Sequence, residues 1–164
     1  MNRYPFESKE NSAKALGKNL GISTKQSINI CNFVRGKSVK KAKEMLQKVS
    51  EKKMAVPFTR FNMDMGHKTG IGPGRYPIKA SLEILAVIAQ AEANAQFKGL
   101  NTSNLVLNHI SANKGVNQWR HGRRRQMAKR TSIVVMVEEG KTEEKEKKGK
   151  KKAQTEDKKT EAKK

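Results

Sequence analysis

The stretch LVLNHISANKGVNQWRHGRRRQMAKRTSIVVMV, residues 105–137, decides how this chain is read. Leu105–Ala112 and Thr131–Val137 carry the β-branched and apolar residues that suit a pleated, half-buried surface. Together they read as the two arms of an antiparallel hairpin. The segment from Asn113 to Arg130 is different: no Asp or Glu occurs anywhere between Ala93 and Val137. A tight hairpin turn needs only about two to five residues. This connection has eighteen, so reversing the chain cannot be its purpose. Lys114, Arg120, Arg123, Arg124, Arg125, Lys129 and Arg130 would repel one another in an isolated protein, and they make sense against a polyanion. Arg outnumbers Lys five to two among them, which suits forked phosphate contacts and stacking on bases. Trp119 is a candidate stacking platform in the same segment. No apolar pattern holds this end together, so its order is expected to come with its partner. The bland alternative is a disordered basic loop with nonspecific affinity.

Composition points the same way. The chain has 164 residues and a formal net charge of +21, a statement about partners and solubility rather than about fold. Nucleic acid is the leading partner, because neutralising phosphates releases counterions. An anionic membrane is the competitor, but membrane insertion is not expected. Its longest apolar stretch, Leu82–Ala95, is interrupted by Glu83, Gln90, Glu92 and Asn94, and Met1–Glu10 carries no signal-peptide apolar segment. The expected location is therefore intracellular. Cys31 is the single cysteine, which excludes an internal disulfide and a paired-cysteine metal site. With 5% aromatic residues, the core must be small and built from Ile, Val, Leu, Met and Ala.

Working outward from the hairpin, Met1–Gly21 is polar around isolated Leu16 and Leu20 and reads as an extended arm lying on a partner, with no fold of its own. Ser23 is placed to cap a helix over Thr24–Arg35 with Ile30, Cys31 and Val34 on its apolar face and Gly36 as its left-handed stop. Ser38 is placed to cap a second helix, Val39–Lys53, with Val39, Ala42, Leu46 and Val49 inward and Lys40, Lys41 and Lys48 outward. A third helix is predicted from about Pro77 to Lys98, ending at Gly99, with Ala80, Ile84, Val87, Ile88, Ala91 and Ala95 as its buried stripe. A strand near Ala55–Arg60 is the candidate third member of the hairpin's sheet. From Glu138 onward no apolar residue is larger than Ala, so the tail is expected to stay disordered.

The loop from Val56 to Pro77, VPFTRFNMDMGHKTGIGPGRYP, is the second signal. Its glycines let backbone approach a phosphate closely, and Arg60, His67, Lys68, Arg75 and Lys79 supply charge. A plain surface loop is the competing reading. GIGPG imitates a dinucleotide fingerprint, but no strand of a βαβ unit precedes it and Pro73 interrupts it. No catalytic residue, metal ligand set or cofactor is predicted. His67, His109 and His121 are scattered, and Asp64 has no acidic neighbour in sequence. His109 reads as a packed sheet residue.

Taken in order, GKSVKKA (Gly36–Ala42), VPFTRFN (Val56–Asn62), GRYPIKAS (Gly74–Ser81), AEANAQFKGL (Ala91–Leu100) and LVLNHISANKG (Leu105–Gly115) resemble the large-subunit ribosomal protein family L twenty-two. The likeness is to its archaeal and eukaryotic branch, whose eukaryotic member is named L seventeen. It covers roughly residues 23 to 137. It implies three helices on a small antiparallel sheet, and a long hairpin that runs through ribosomal RNA to the nascent-peptide exit tunnel. By that resemblance Arg35 and Lys37 match the family's helix-joining turn. Arg75, Tyr76 and Lys79 match the family's block at the start of the third helix. Residues 113–130 become the tunnel-reaching end, with His121, Gly122, Arg123, Arg124 and Arg125 lining the tunnel. Between Lys114 and His121 this chain is a few residues shorter than many relatives.

The expectation is an α+β fold: three helices packed on a small antiparallel sheet, with a long protruding β-hairpin and a disordered charged C-terminal tail. It divides into an N-terminal arm (1–22), a globular rRNA-binding domain (23–137) and the tail (138–164). The expected function is a non-enzymatic structural constituent of the large ribosomal subunit, located in the cytoplasm. It binds large-subunit rRNA through Arg35, Lys37, Lys40, Lys41, Arg60, His67, Lys68, Arg75, Tyr76, Lys79 and the hairpin cations with Trp119, and it supports assembly and translation. Its other partners are neighbouring ribosomal proteins and the nascent peptide, with no homo-oligomer. A free nucleic-acid chaperone or architectural DNA-binding protein is the alternative, since β-ribbons also enter DNA grooves.

Overall fold

A computed structural model describes residues 11–123 and 125–140. Their core is a three-stranded antiparallel sheet in the order β1 (Ser12–Leu20), β8 (Thr131–Glu139), β5 (Leu105–Lys114). Helices α1 (Thr24–Val34), α2 (Val39–Ser50) and α3 (Ile78–Phe97) complete the domain. Among the described residues no helix is long and apolar enough to cross a membrane.

The central strand β8 pairs Ile133, Val135 and Val137 with Ala112, Ile110 and Leu107 on one side and with Gly17, Ala15 and Ala13 on the other. These residues form the core face. A β-bulge between Leu107 and His109 adds one residue to β5, so Leu107 and Ile110 both point inward although they are three apart. The small residues of β1 let α3 lie close. A Cβ on Gly17 would sit 2.6 Å from Val87 Cγ2, inside any real carbon–carbon contact. The expected buried stripe of α3 is observed in full, and the predicted inward residues of α1 and α2 are likewise buried.

Several expectations are corrected. Residues 12–20, read as an arm without a fold of its own, are an edge strand of the central sheet. Ala13, Ala15 and Gly17 are poor hydrophobic signals, yet they are what a closely packed helix requires. That strand, rather than Ala55–Arg60, is the third member of the sheet. Val56–Pro57 (β2) instead pairs with Gly72–Arg75 (β4), which also pairs with His67–Lys68 (β3). Ser23 and Ser38 occupy the N-cap positions but make no capping side-chain hydrogen bond. Glu138 and Glu139, assigned to the tail, end β8. The remaining expectations for the tail and for Met1–Glu10 lie outside the described residues.

Pairing also runs beyond the two arms. Gly115 N–H donates to the Arg130 carbonyl at 2.9 Å. Gln118–Trp119 (β6) then pairs with Met127–Ala128 (β7), and Arg120 N–H donates to Gln126 carbonyl at 2.9 Å. Of the described residues, His121, Gly122, Arg123 and Arg125 lie beyond this last pair. A backbone ladder needs no side-chain pattern, which is why the sequence of the cationic end gave no sign of it.

Candidate nucleic-acid interface

The hairpin is fixed where it leaves the sheet. Thr131 is fully buried; its hydroxyl donates to the Ile22 carbonyl and accepts from the Thr24 hydroxyl, both at 2.9 Å. Asn19, held at φ 54°, donates its N–H to Ser132 Oγ at 3.2 Å, and its carbonyl accepts from Arg130 at 3.3 Å. A side chain at Gly115 would reach within 2.8 Å of Asn19 Oδ1. The ribbon is thereby keyed to the junction between β1 and α1. Beyond it, none of the described residues 116–129 is buried.

These anchors and the loop after β2 create a groove of about 480 Å³ at the hairpin base. Lys25, Lys114, Lys129 and Arg130 line it together with Ile28 and Phe61, and no carboxylate does. Lys79 Nζ lies 3.7 Å from the position a Cβ of Gly21 would take, beside the same junction. The loop enters the groove because of Asn29, which is 1% exposed. Its amide donates to the carbonyls of Lys25 (2.9 Å) and Arg60 (3.1 Å) and accepts from Arg60 N–H at 3.3 Å. Arg60 is thus anchored to α1 through its backbone, and its guanidinium stays exposed, 5.7 Å from the Phe61 ring centroid.

A second, smaller groove of about 340 Å³ lies where α1 turns into α2, between Asn32, Phe33, Arg35, Lys37, Pro57 and Thr59. Gly36 N–H donates to Leu107 carbonyl and Leu107 N–H to Lys37 carbonyl, each at 2.9 Å. The turn therefore covers the outer edge of β5, satisfying backbone that would otherwise be exposed. Arg35 Nη2 donates to Ile110 carbonyl at 2.9 Å, and Lys37 Nζ sits 4.9 Å over the Phe33 ring. His109 is partly buried in the neighbouring strand. Desolvation, helped by the Arg35 charge, holds its pKa below the usual value and favours the neutral ring.

The remaining sequence-predicted residues fall elsewhere. His67, Lys68 and Arg75 are exposed on the β3–β4 hairpin, with Lys68 Nζ 5.5 Å over the half-buried Tyr76 ring. Lys40 and Lys41 are exposed on the first turn of α2 and line neither groove. At the tip, Trp119 (62% exposed) sits opposite Met127. Arg120, His121, Gly122, Arg123 and Arg125 are exposed, whereas Arg124 lies outside the described residues. Sequence reasoning missed Lys25, Phe61 and Asn29. Phe61 stood inside a motif already singled out, but nothing in the sequence distinguished it from a core residue.

Ion pairs join Lys43 to Glu92, Lys48 to Glu44 and Lys53 to Glu51, all on α2, the turn after it and α3. Among the described residues, none of the hairpin cations is paired with a carboxylate. No group of three His, Cys, Asp or Glu side chains there could hold a metal ion.

Comparison with known proteins accounts for this arrangement. The family described as "Ribosomal protein L22p/L17e" matches residues 15–138. The chain is 44% identical over 115 residues to the large ribosomal subunit protein uL22 of Thermoplasma acidophilum, covering 70% of this chain and 76% of that protein. It is 43% identical over 122 residues to uL22 of Methanococcus aeolicus, covering 72% and 80%. Against uL22 of Archaeoglobus fulgidus the identity is 41% over 115 residues, covering 68% and 74%. A match across both anchored grooves and the whole hairpin leaves one conclusion: the chain belongs to the ribosomal protein L22p/L17e family.

Proposed function

We propose that this protein is a cytoplasmic constituent of the large ribosomal subunit, that it binds large-subunit rRNA through its globular face and its cationic ribbon, and that the ribbon's tip lines the nascent-peptide exit tunnel. Family membership makes it a structural ribosomal protein and not an enzyme. The observation that carries the finer reading is the ribbon itself. It is backbone-paired out to Arg120 and Gln126, densely cationic and without carboxylate partners among the described residues. Like charges held at strand spacing are tolerable where phosphates surround them. The globular part then grips one rRNA surface through Arg35, Lys37 and the groove at the hairpin base, while the ribbon bridges segments that would otherwise repel. Neighbouring ribosomal proteins and the emerging peptide complete its contacts, and the chain acts as a monomer.

Crosslinking the full chain in assembled subunits and mapping the contacted nucleotides tests this directly. Contacts from residues 113–130 to rRNA around the tunnel are the expected result. A gradient profile at moderate and high salt with the protein mostly in the soluble fraction would favour a free nucleic-acid chaperone instead. Replacing Arg123, Arg124 and Arg125 by Ala should change macrolide response or peptide-induced stalling more than assembly. Loss of assembly with unchanged tunnel behaviour would contradict the tip's placement.

A further inference from the structure

The groove at the hairpin base has a composition that phosphate binding alone does not explain. Lys25, Lys114, Lys129 and Arg130 would suffice to hold a backbone, yet Ile28 and Phe61 supply an apolar floor among them. Phe61 is 42% exposed and sits at φ +57°, a left-handed conformation unfavourable for an aromatic residue with a Cβ. Such strain persists where the surroundings enforce it, and it collects at ligand sites. Here the enforcing element is the buried Asn29, whose amide grips the backbone of the preceding residue on both sides. The ring is therefore held out of the core by design of the loop. Lys25 Nζ stands 5.4 Å from its centroid, so the aromatic surface and positive charge meet at one place.

A volume of about 480 Å³ falls in the range of roughly 300–1,000 Å³ typical of pockets for single small ligands. It suits one nucleotide. We infer that this groove takes one unpaired nucleotide of RNA, its base stacked on Phe61 and its flanking phosphates on Lys114, Lys129 and Arg130. An acidic peptide would satisfy the four cations but would have no use for a strained, exposed ring. A base-paired strand cannot enter either, because its base faces are already stacked. The inference rests on the rRNA-binding reading above and adds the form of RNA that is held.

The test uses the full chain and two fluorescent probes, a single-stranded RNA dodecamer of mixed sequence and the corresponding fully paired duplex. Removing one base–aromatic stack by Phe61→Ala should weaken single-strand binding roughly five- to hundredfold and leave duplex binding within about twofold. Phe61→Trp should retain single-strand affinity. Equal losses on both probes, or no loss on either, overturn the inference; the latter result is also the one expected if a protein segment fills the groove. Should Phe61→Ala fail to fold, Phe61→Leu decides, since it keeps an apolar side chain without the π face. Leu as effective as Trp would again overturn the stacking. An unaltered chain that bound neither probe would instead remove the RNA-binding reading itself, so the two failures are distinguishable.

Discussion

Single side chains set how firmly the hairpin and the loop after β2 are held. Thr131 is the clearest case, because one buried hydroxyl satisfies Ile22 and Thr24 at the root of the hairpin. Thr131→Val keeps the shape and strands the Ile22 carbonyl, which should cost about 1–3 kcal/mol. Urea unfolding reads the loss, and an unshifted midpoint would show that the anchor is dispensable. Cys31 illustrates the opposite kind of residue. Burial pushes its thiol up to about 12, outweighing the lowering effect of the nearby Arg35 charge. A group that stays protonated and is 1% exposed is no nucleophile. Ellman's reagent at pH 8 should therefore leave the native chain unlabelled and react only after denaturant is added. Immediate labelling of the folded chain would contradict both its burial and its protonation.

At the scale of elements, the loop after β2 matters most, since it reaches the groove at the hairpin base although it contains little regular structure. Its attachment is the Asn29 clamp on Arg60. Asn29→Ala should free that backbone, so that the Arg60 amide exchanges its hydrogen far faster while the central sheet keeps its protection. The stability lost should be about 1–3 kcal/mol, as for a buried polar partner removed. Unchanged exchange at Arg60 would mean the loop is held by something else. Much of this scale was legible beforehand. The helices follow from 3–4 spacing and from Gly36 and Gly99, both at positive φ. β1 was not legible, because alternating Ala and Gly carry almost no hydrophobic signal. Nor was the ladder at the tip, because backbone pairing leaves no mark on side-chain pattern.

For the molecule as a whole, the decisive quantity is where its charge sits. Glu44, Glu51 and Glu92, which pair with Lys48, Lys53 and Lys43, are on α2, the turn after it and α3, and residues 105–137 contain no Asp or Glu. If the cations of the ribbon each neutralise a phosphate, RNA affinity must fall steeply with salt. Replacing Arg123, Arg124 and Arg125 by Ala removes three of them and should make the slope of log K against log salt shallower by about 2–3. Titrations of a single-stranded RNA between low and moderate salt measure this, and an unaltered slope would mean that the tip does not touch phosphate. The same substitutions should leave thermal stability unchanged, since no described residue from 116 to 129 contributes to the core.

By itself the sequence determined the helices, the hairpin and the crowding of positive charge at its end, because spacing, helix stops and uncompensated charge are local properties written one residue after another. Only the tertiary structure decided that residues 12–20 close the sheet and that Lys25, Phe61 and Arg130 share a groove. The side chains that meet there come from segments as much as about a hundred residues apart, and no local pattern encodes which distant strand a weakly apolar segment will pair with.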